Sequence, residues 1–182
     1  MNIDLARGAP RKAEADLRKA IEVHPRTVSN YVVLGTQFER EKRWNEAQVL
    51  FEKAHQLEPS SPYVCAELAF LYLEHGGDVN VAVSLAQTAK QKMPESPMTA
   101  DALGWAYYKL GSADLAIAQL RQATAKAPEN PVYHHHLGMA YLSAHKMEMA
   151  ARSLRLALKQ DPNFPDAAKA RATLGEIAKQ TP

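Results

Sequence analysis

The sequence predicts an all-α chain built as a stack of antiparallel helix pairs, and three observations carry that prediction. Pro25, Pro59, Pro94, Pro128 and Pro162 follow one another at intervals of 34, 35, 34 and 34 residues, and a fixed spacing of this kind marks a repeat array. Apolar columns keep the same register. Leu34, Leu68, Leu103 and Leu137 align, each followed by a tiny residue: Gly35, Ala69, Gly104 or Gly138. Three residues further stand Phe38, Tyr72, Tyr107 and Tyr141, and later Ala47, Ala82, Ala116 and Ala150. Phe51, Ala86, Leu120 and Leu154 follow, then Ala54, Ala89, Ala123 and Ala157. Within each period the apolar residues recur at three- and four-residue spacing, which puts them on one face of a helix.

Each segment follows from those columns. The stretch "GAPRKAEADLRKAIEVHP" (8–25) matches only the second helix of a unit, with Ala13, Leu17 and Ala20 in register. Residues 1–27 therefore read as a half-repeat whose helix covers 10–24, an array cut from a longer one or capped from outside. Four complete pairs follow at 28–61, 62–96, 97–130 and 131–164. Turns such as "KRWN" (42–45) and "LGSAD" (110–114) divide the two helices of a pair. The longer interval places one extra residue in the turn "HGGDVN" (75–80) of the second pair. Tiny residues let paired helices approach to the lower end of the about 8–10 Å packing range. A proline ring cannot continue the helical ladder, so each closing proline ends a second helix. Residues 165–182 begin like another unit, but Arg171 and Gly175 stand where Leu and Tyr would be. A helix over 165–180 with a polar outer face reads as a cap.

This pattern of Leu-Gly, an aromatic, two alanines flanking a large apolar residue and a closing proline resembles the tetratricopeptide repeat. The resemblance covers nearly the whole chain. Tyr31, Cys65, Ala100 and His134 depart from it, occupying a column where the family often has Trp. The runs "LGWAYYKLG" and "YHHHLGMAYL" are similar to C-terminal arrays of bacterial repeat proteins linked to export, envelope or polysaccharide assembly. The resemblance implies a right-handed superhelical α-solenoid, without catalysis, that organises other proteins and lines its concave face with first helices.

On that implied face stand Tyr63, Phe70, Leu73, Met98, Asp101, Trp105, Tyr108, Lys109, His135, Met139 and Leu142. So many aromatics and methionines outside the core columns mark an interaction surface. The expected ligand is an apolar or amphipathic peptide segment of a partner protein. The competing reading is that superhelical curvature buries these side chains between neighbouring first helices. The family's best-known ligands are chaperone C-terminal peptides, held by a clamp of Lys, Asn and Arg. In the first register the matching positions are Val32, Thr36, Glu67, Met98 and Ala102, and one repeat later Ala66, Phe70, Ala102, Val132 and His136. Neither has a cation pair, so a carboxylate-clamp role is disfavoured.

The run His134-His135-His136 is a poor metal site. Consecutive helical residues lie about 100° apart, and no second ligand stands three or four residues on, as a helical pair needs. His134 is expected between helices, His135 in the groove and His136 on a third face. The motifs "PSSP", "PESP", "PENP" and "PNFP" are helix stops followed by first-turn prolines. No glycine-rich phosphate loop, nucleophile elbow or paired-cysteine motif occurs, so neither an enzyme, a cofactor nor a metal is expected.

Bulk properties agree. The 182 residues carry a formal net charge of +2, and Arg40 and Lys109 alone are too few on the inner face for nucleic acid. Residues 27–99 hold 6 basic and 9 acidic side chains, and residues 100–182 hold 10 and 7. The best candidate for a membrane span, "PYVCAELAFLYL" (62–73), carries Glu67 and falls short of the ~20 residues needed. The lone Cys65 excludes an internal disulfide and reads as a small buried hydrophobe. A cytoplasmic setting fits, or a periplasmic one for a fragment of an exported protein. The alternative function is a structural segment of a longer array that self-associates through the N-terminal half-repeat and binds no peptide.

Overall fold

Ten α-helices and no strand occur among residues 3–180, which the computed structural model describes. They are α1 (Ile3–Val23), α2 (Val28–Arg40), α3 (Trp44–Leu57), α4 (Pro62–His75), α5 (Val79–Lys92), α6 (Pro97–Lys109), α7 (Ala113–Lys126), α8 (Pro131–Ser143), α9 (Met147–Gln160) and α10 (Ala167–Gln180). Helices α2 and α3, α4 and α5, α6 and α7, and α8 and α9 pack as consecutive pairs, each pair against the next. The outermost residues of the two end segments, 1–2 and 181–182, lie outside the described ones.

Two details differ from the sequence reading. The helix expected over 10–24 spans Ile3–Val23, because the helix formers Leu5, Ala6, Arg7 and Ala9 extend it ahead of Pro10. The extra residue of the second pair lengthens α4, not the turn. Helix α4 has 14 residues where α2, α6 and α8 have 13. Gly76 then ends it in the left-handed conformation, at φ 88°.

Local chemistry sets the boundaries. Pro62, Pro97 and Pro131 open α4, α6 and α8 at the position where a missing N–H costs nothing. Asp78 and Asn130 cap α5 and α8, each side chain accepting from two backbone N–H groups. The carbonyls of the closing prolines lie just past the helix ends, and the column where the family often has Trp supplies partners for three of them. The Tyr31 hydroxyl donates to Pro25 O at 2.8 Å, Cys65 Sγ to Pro59 O at 3.3 Å and His134 Nε2 to Pro128 O at 2.8 Å. Ala100 cannot do this, and Pro94 O accepts instead from Lys90 Nζ and, at 3.2 Å, from Gln122 Nε2.

The core lies inside and between the pairs. All members of the three second-helix columns from Ala47 to Ala157 are 0% exposed. A Cβ on Gly104 would stand 2.5 Å from Leu120 Cγ, and one on Gly138 2.7 Å from Leu154 Cγ. The helices are as close as a missing side chain allows. Tyr107 and Tyr108 pack against both large core clusters, joining the two halves of the stack.

Candidate peptide-binding groove

The first helices α4, α6 and α8 lie side by side. Between them Phe70, Glu74, Trp105, Tyr108, Lys109, Val132, His135, His136 and Met139, with Asp166 and Lys169 at the α10 end, surround a cavity of about 370 Å³. Trp105 is its centre. The indole stacks on His136 at 4.0 Å and on Tyr108 at 4.6 Å between ring centroids. Its Nε1–H donates to Glu74 Oε1 at 2.6 Å. Lys109 Nζ reaches the same oxygen at 3.0 Å and lies 5.0 Å from the indole centroid.

Behind this layer His136 Nδ1–H donates to Asp101 Oδ1 at 2.9 Å, both side chains being buried. At the opposite edge Lys169 Nζ pairs with Asp166 at 2.7 Å. His135 is 2% exposed, stands 4.0 Å from Asp166, and neither of its ring nitrogens has a hydrogen-bond partner.

Electrostatics follow the packing. Burial, and secondarily the neighbouring His136, lowers the His135 pKa to about 4, so the imidazole is neutral at pH 7. Burial raises the Glu74 carboxyl, but the Trp105 N–H and Lys109 outweigh it and hold it below the usual range. Asp166 behaves alike: burial raises it and Lys169 more than compensates. Further along the first helices the charges are unbalanced. Burial and then Glu67 push Glu39 up to about 7, and burial raises Glu67 as well.

The family models for the TPR repeat and the tetratricopeptide repeat match residues 104–144 and 132–164. Residues 104–164 of this chain therefore match tetratricopeptide repeats. Among solved structures it is similar to YrrB, a TPR protein with an unusual peptide-binding site. The identity is 20%, over 94% of this chain and 88% of that one, with a TM-score of 0.67. PilW, a widely conserved type IV pilus biogenesis factor, shares 18% identity over 98% of this chain and 87% of its own, with a TM-score of 0.74. A thermophilic TPR protein of Thermus thermophilus shares 20% over 96% and 93%, with a TM-score of 0.71. At these identities the likeness is one of fold. No curated protein matches the chain in sequence.

Within the helical stack, six of the eleven expected residues line the cavity: Phe70, Trp105, Tyr108, Lys109, His135 and Met139. The other five do not. Leu73 is a core residue, Met98 and Leu142 pack partly buried against the two cores, and Asp101 is the buried partner of His136. Tyr63 borders a separate cavity with Leu17 and Val32. Curvature buries much of what the columns left open, since Leu73, Asp101, Trp105 and His135 are all under 9% exposed. His136 is a correction: it shares the cavity with His135, because a 100° step still falls within the arc enclosed by α6 and α10. Among the described residues no group of three or more His, Cys, Asp or Glu is placed to hold a metal ion, and no helix is long and apolar enough to cross a membrane.

Glu74 and Val132, which the register places on the same concave face, also line the cavity, and His136, Asp166 and Lys169 complete it without having been expected in it. Asp166 and Lys169 were legible. They occupy the same columns of the tetratricopeptide register as Val132 and His135, in a segment whose sequence reads as a cap.

Proposed function

We propose that this protein is a non-catalytic scaffold that binds an apolar or amphipathic peptide segment of a partner protein in the concave cavity. The observation that supports this most is the cavity's division of labour. Phe70, Trp105, Tyr108 and Met139 form an apolar floor, and the pairs Glu74–Lys109 and Asp166–Lys169 form two neutral rims. Large apolar side chains enter such a floor, and the paired rims set direction and register without favouring either sign of charge. The similar protein YrrB is described as having an unusual peptide-binding site, which is consistent with peptide recognition on this fold.

The test is selection of peptides from a displayed random library, followed by titration with Trp105 fluorescence in a Trp44→Phe background. Selected peptides are expected to carry two or three large apolar residues, to change the Trp105 emission, and to bind Met139→Glu about tenfold or more weaker. Equal binding to that variant sinks the assignment.

A second reading, self-association without a peptide ligand, has one observation in its favour. In α1 the column residue Ala13 is exposed and Leu17 and Ala20 are half-buried, whereas Ala47, Phe51 and Ala54 are 0% exposed. Light scattering over a concentration series decides it, since a constant monomer mass removes the reading.

A further inference from the structure

Where one helix pair meets the next, the second helix of the first pair and both helices of the following one form a groove on the face opposite the cavity. At the first such junction the Tyr72 hydroxyl donates to Glu52 Oε1 at 2.9 Å. One repeat on, Gln87 Nε2 donates to the Tyr107 hydroxyl at 3.3 Å. At the third junction the same two columns hold Arg121 and Tyr141, and no hydrogen bond joins them among the described residues. The latched first groove encloses about 260 Å³, and the unlatched third encloses about 380 Å³ between α7 and α9.

The third groove also differs in what it presents. Met149 is 50% exposed and Leu156 38%, so its lip is apolar. Arg121 and Arg152 stand on its two walls, both exposed and neither in an ion pair among the described residues. Arg18 and Arg43, at the other end of the stack, are instead neutralised by Glu14, at 2.9 Å and 2.8 Å. Residues 100–182 carry a basic excess, with 10 basic side chains against 7 acidic. A guanidinium binds a carboxylate through two parallel hydrogen bonds, and two of them beside exposed apolar side chains are complementary to an acidic, apolar ligand.

We propose that the α7–α9 groove docks an acidic amphipathic segment of a partner protein. Its large apolar side chains lie against Met149 and Leu156, and its carboxylates meet Arg121 and Arg152. This surface is independent of the concave cavity, and a chain with both sites holds two segments on opposite faces.

The methionine methyl resonances separate the two sites, because Met149 reports the α7–α9 groove and Met139 the cavity. The probes are peptides selected from a displayed random library against the native chain. A class rich in Asp or Glu beside Leu, Phe or Trp is expected to shift Met149 and leave Met139 in place. Its affinity is expected to fall about tenfold or more in the double variant Arg121→Glu, Arg152→Glu, and to be unchanged in Met139→Glu. Both arginines are exposed, so unchanged circular dichroism is expected for the double variant. The proposal is overturned if no selected peptide shifts Met149, if charge reversal leaves its binding intact, or if a single-stranded oligonucleotide shifts Met149 in place of acidic peptides. Loss of the cavity-binding class alone would overturn the concave reading and leave this one standing.

Discussion

Trp105 Nε1 and Glu74 Oε1 lie 2.6 Å apart, a hydrogen bond that ties α6 to α4 across the cavity. It fixes the indole edge while His136 and Tyr108 hold its two faces. Trp105→Phe keeps most of the packing and removes the donor. A hydrogen bond to a charged acceptor contributes about 1.5–3 kcal/mol when dry, and the Glu74 side chain is 35% exposed, so a loss near about 1 kcal/mol is expected. Urea unfolding checks it. Loss above the dry range would show that the indole's ring, not its N–H, carries the contact.

Glycines in the stack divide sharply by what faces them. Gly104→Ala and Gly138→Ala would each drive a Cβ into the leucine of the paired helix, at 2.5 Å and 2.7 Å. Overpacking of this kind costs about 1–3 kcal/mol. Gly175 in α10 has nothing within 4 Å, and alanine there is expected to stabilise by up to about 1 kcal/mol through helix propensity. Thermal unfolding of the three variants should therefore move in opposite directions.

Two turns hold a residue with a side chain where glycine is better suited. Lys42 has φ 60° and His145 φ 58°, in the column where the third pair uses Gly111 at φ 83°. The left-handed conformation costs a residue with a Cβ about 1 kcal/mol or more. Lys42→Gly and His145→Gly are expected to raise stability by about that amount, additively because the turns lie two repeats or more apart. Gly111→Ala is expected to lower it. Denaturant midpoints at constant m-value report all three.

His135 gives the chain an acid-sensitive component of stability. Unfolded, the imidazole takes a proton below its ordinary 6.5, whereas the folded chain resists until about 4. The unfolded state then binds more protons, so stability falls as pH drops through that window, by up to about 3 kcal/mol. His135→Gln, neutral throughout, is expected to lose less stability between pH 6.5 and pH 4 than the native chain. Equal slopes would show that His135 is hydrated.

Glu39 works in the opposite sense. Its folded pKa is raised from 4.5 to about 7, so its contribution is intact below 4.5 and is lost as pH rises through 7. Glu39→Gln is expected to melt higher than the native chain at pH 8 and to converge with it at pH 4. Differential scanning fluorimetry across that range is sufficient.

Much of this molecule was determined by sequence alone. The proline interval, the Leu-Gly column and the alanine columns specify which helices pair and where each ends, because those choices depend on local geometry and on contacts within one period. Six cavity residues follow from the same register, Glu74 and Val132 stand on the same face, and Asp166 and Lys169 continue its columns at the start of α10. Only the tertiary structure decided what stays open. Whether Trp105 or Leu73 meets solvent depends on how far the neighbouring first helix is rotated and offset, a relation between repeats that no single period encodes. The same holds for Arg121 and Tyr141. Their columns are equivalent to Glu52–Tyr72 and Gln87–Tyr107, yet no hydrogen bond joins Arg121 to Tyr141 among the described residues, a difference that column equivalence does not reveal.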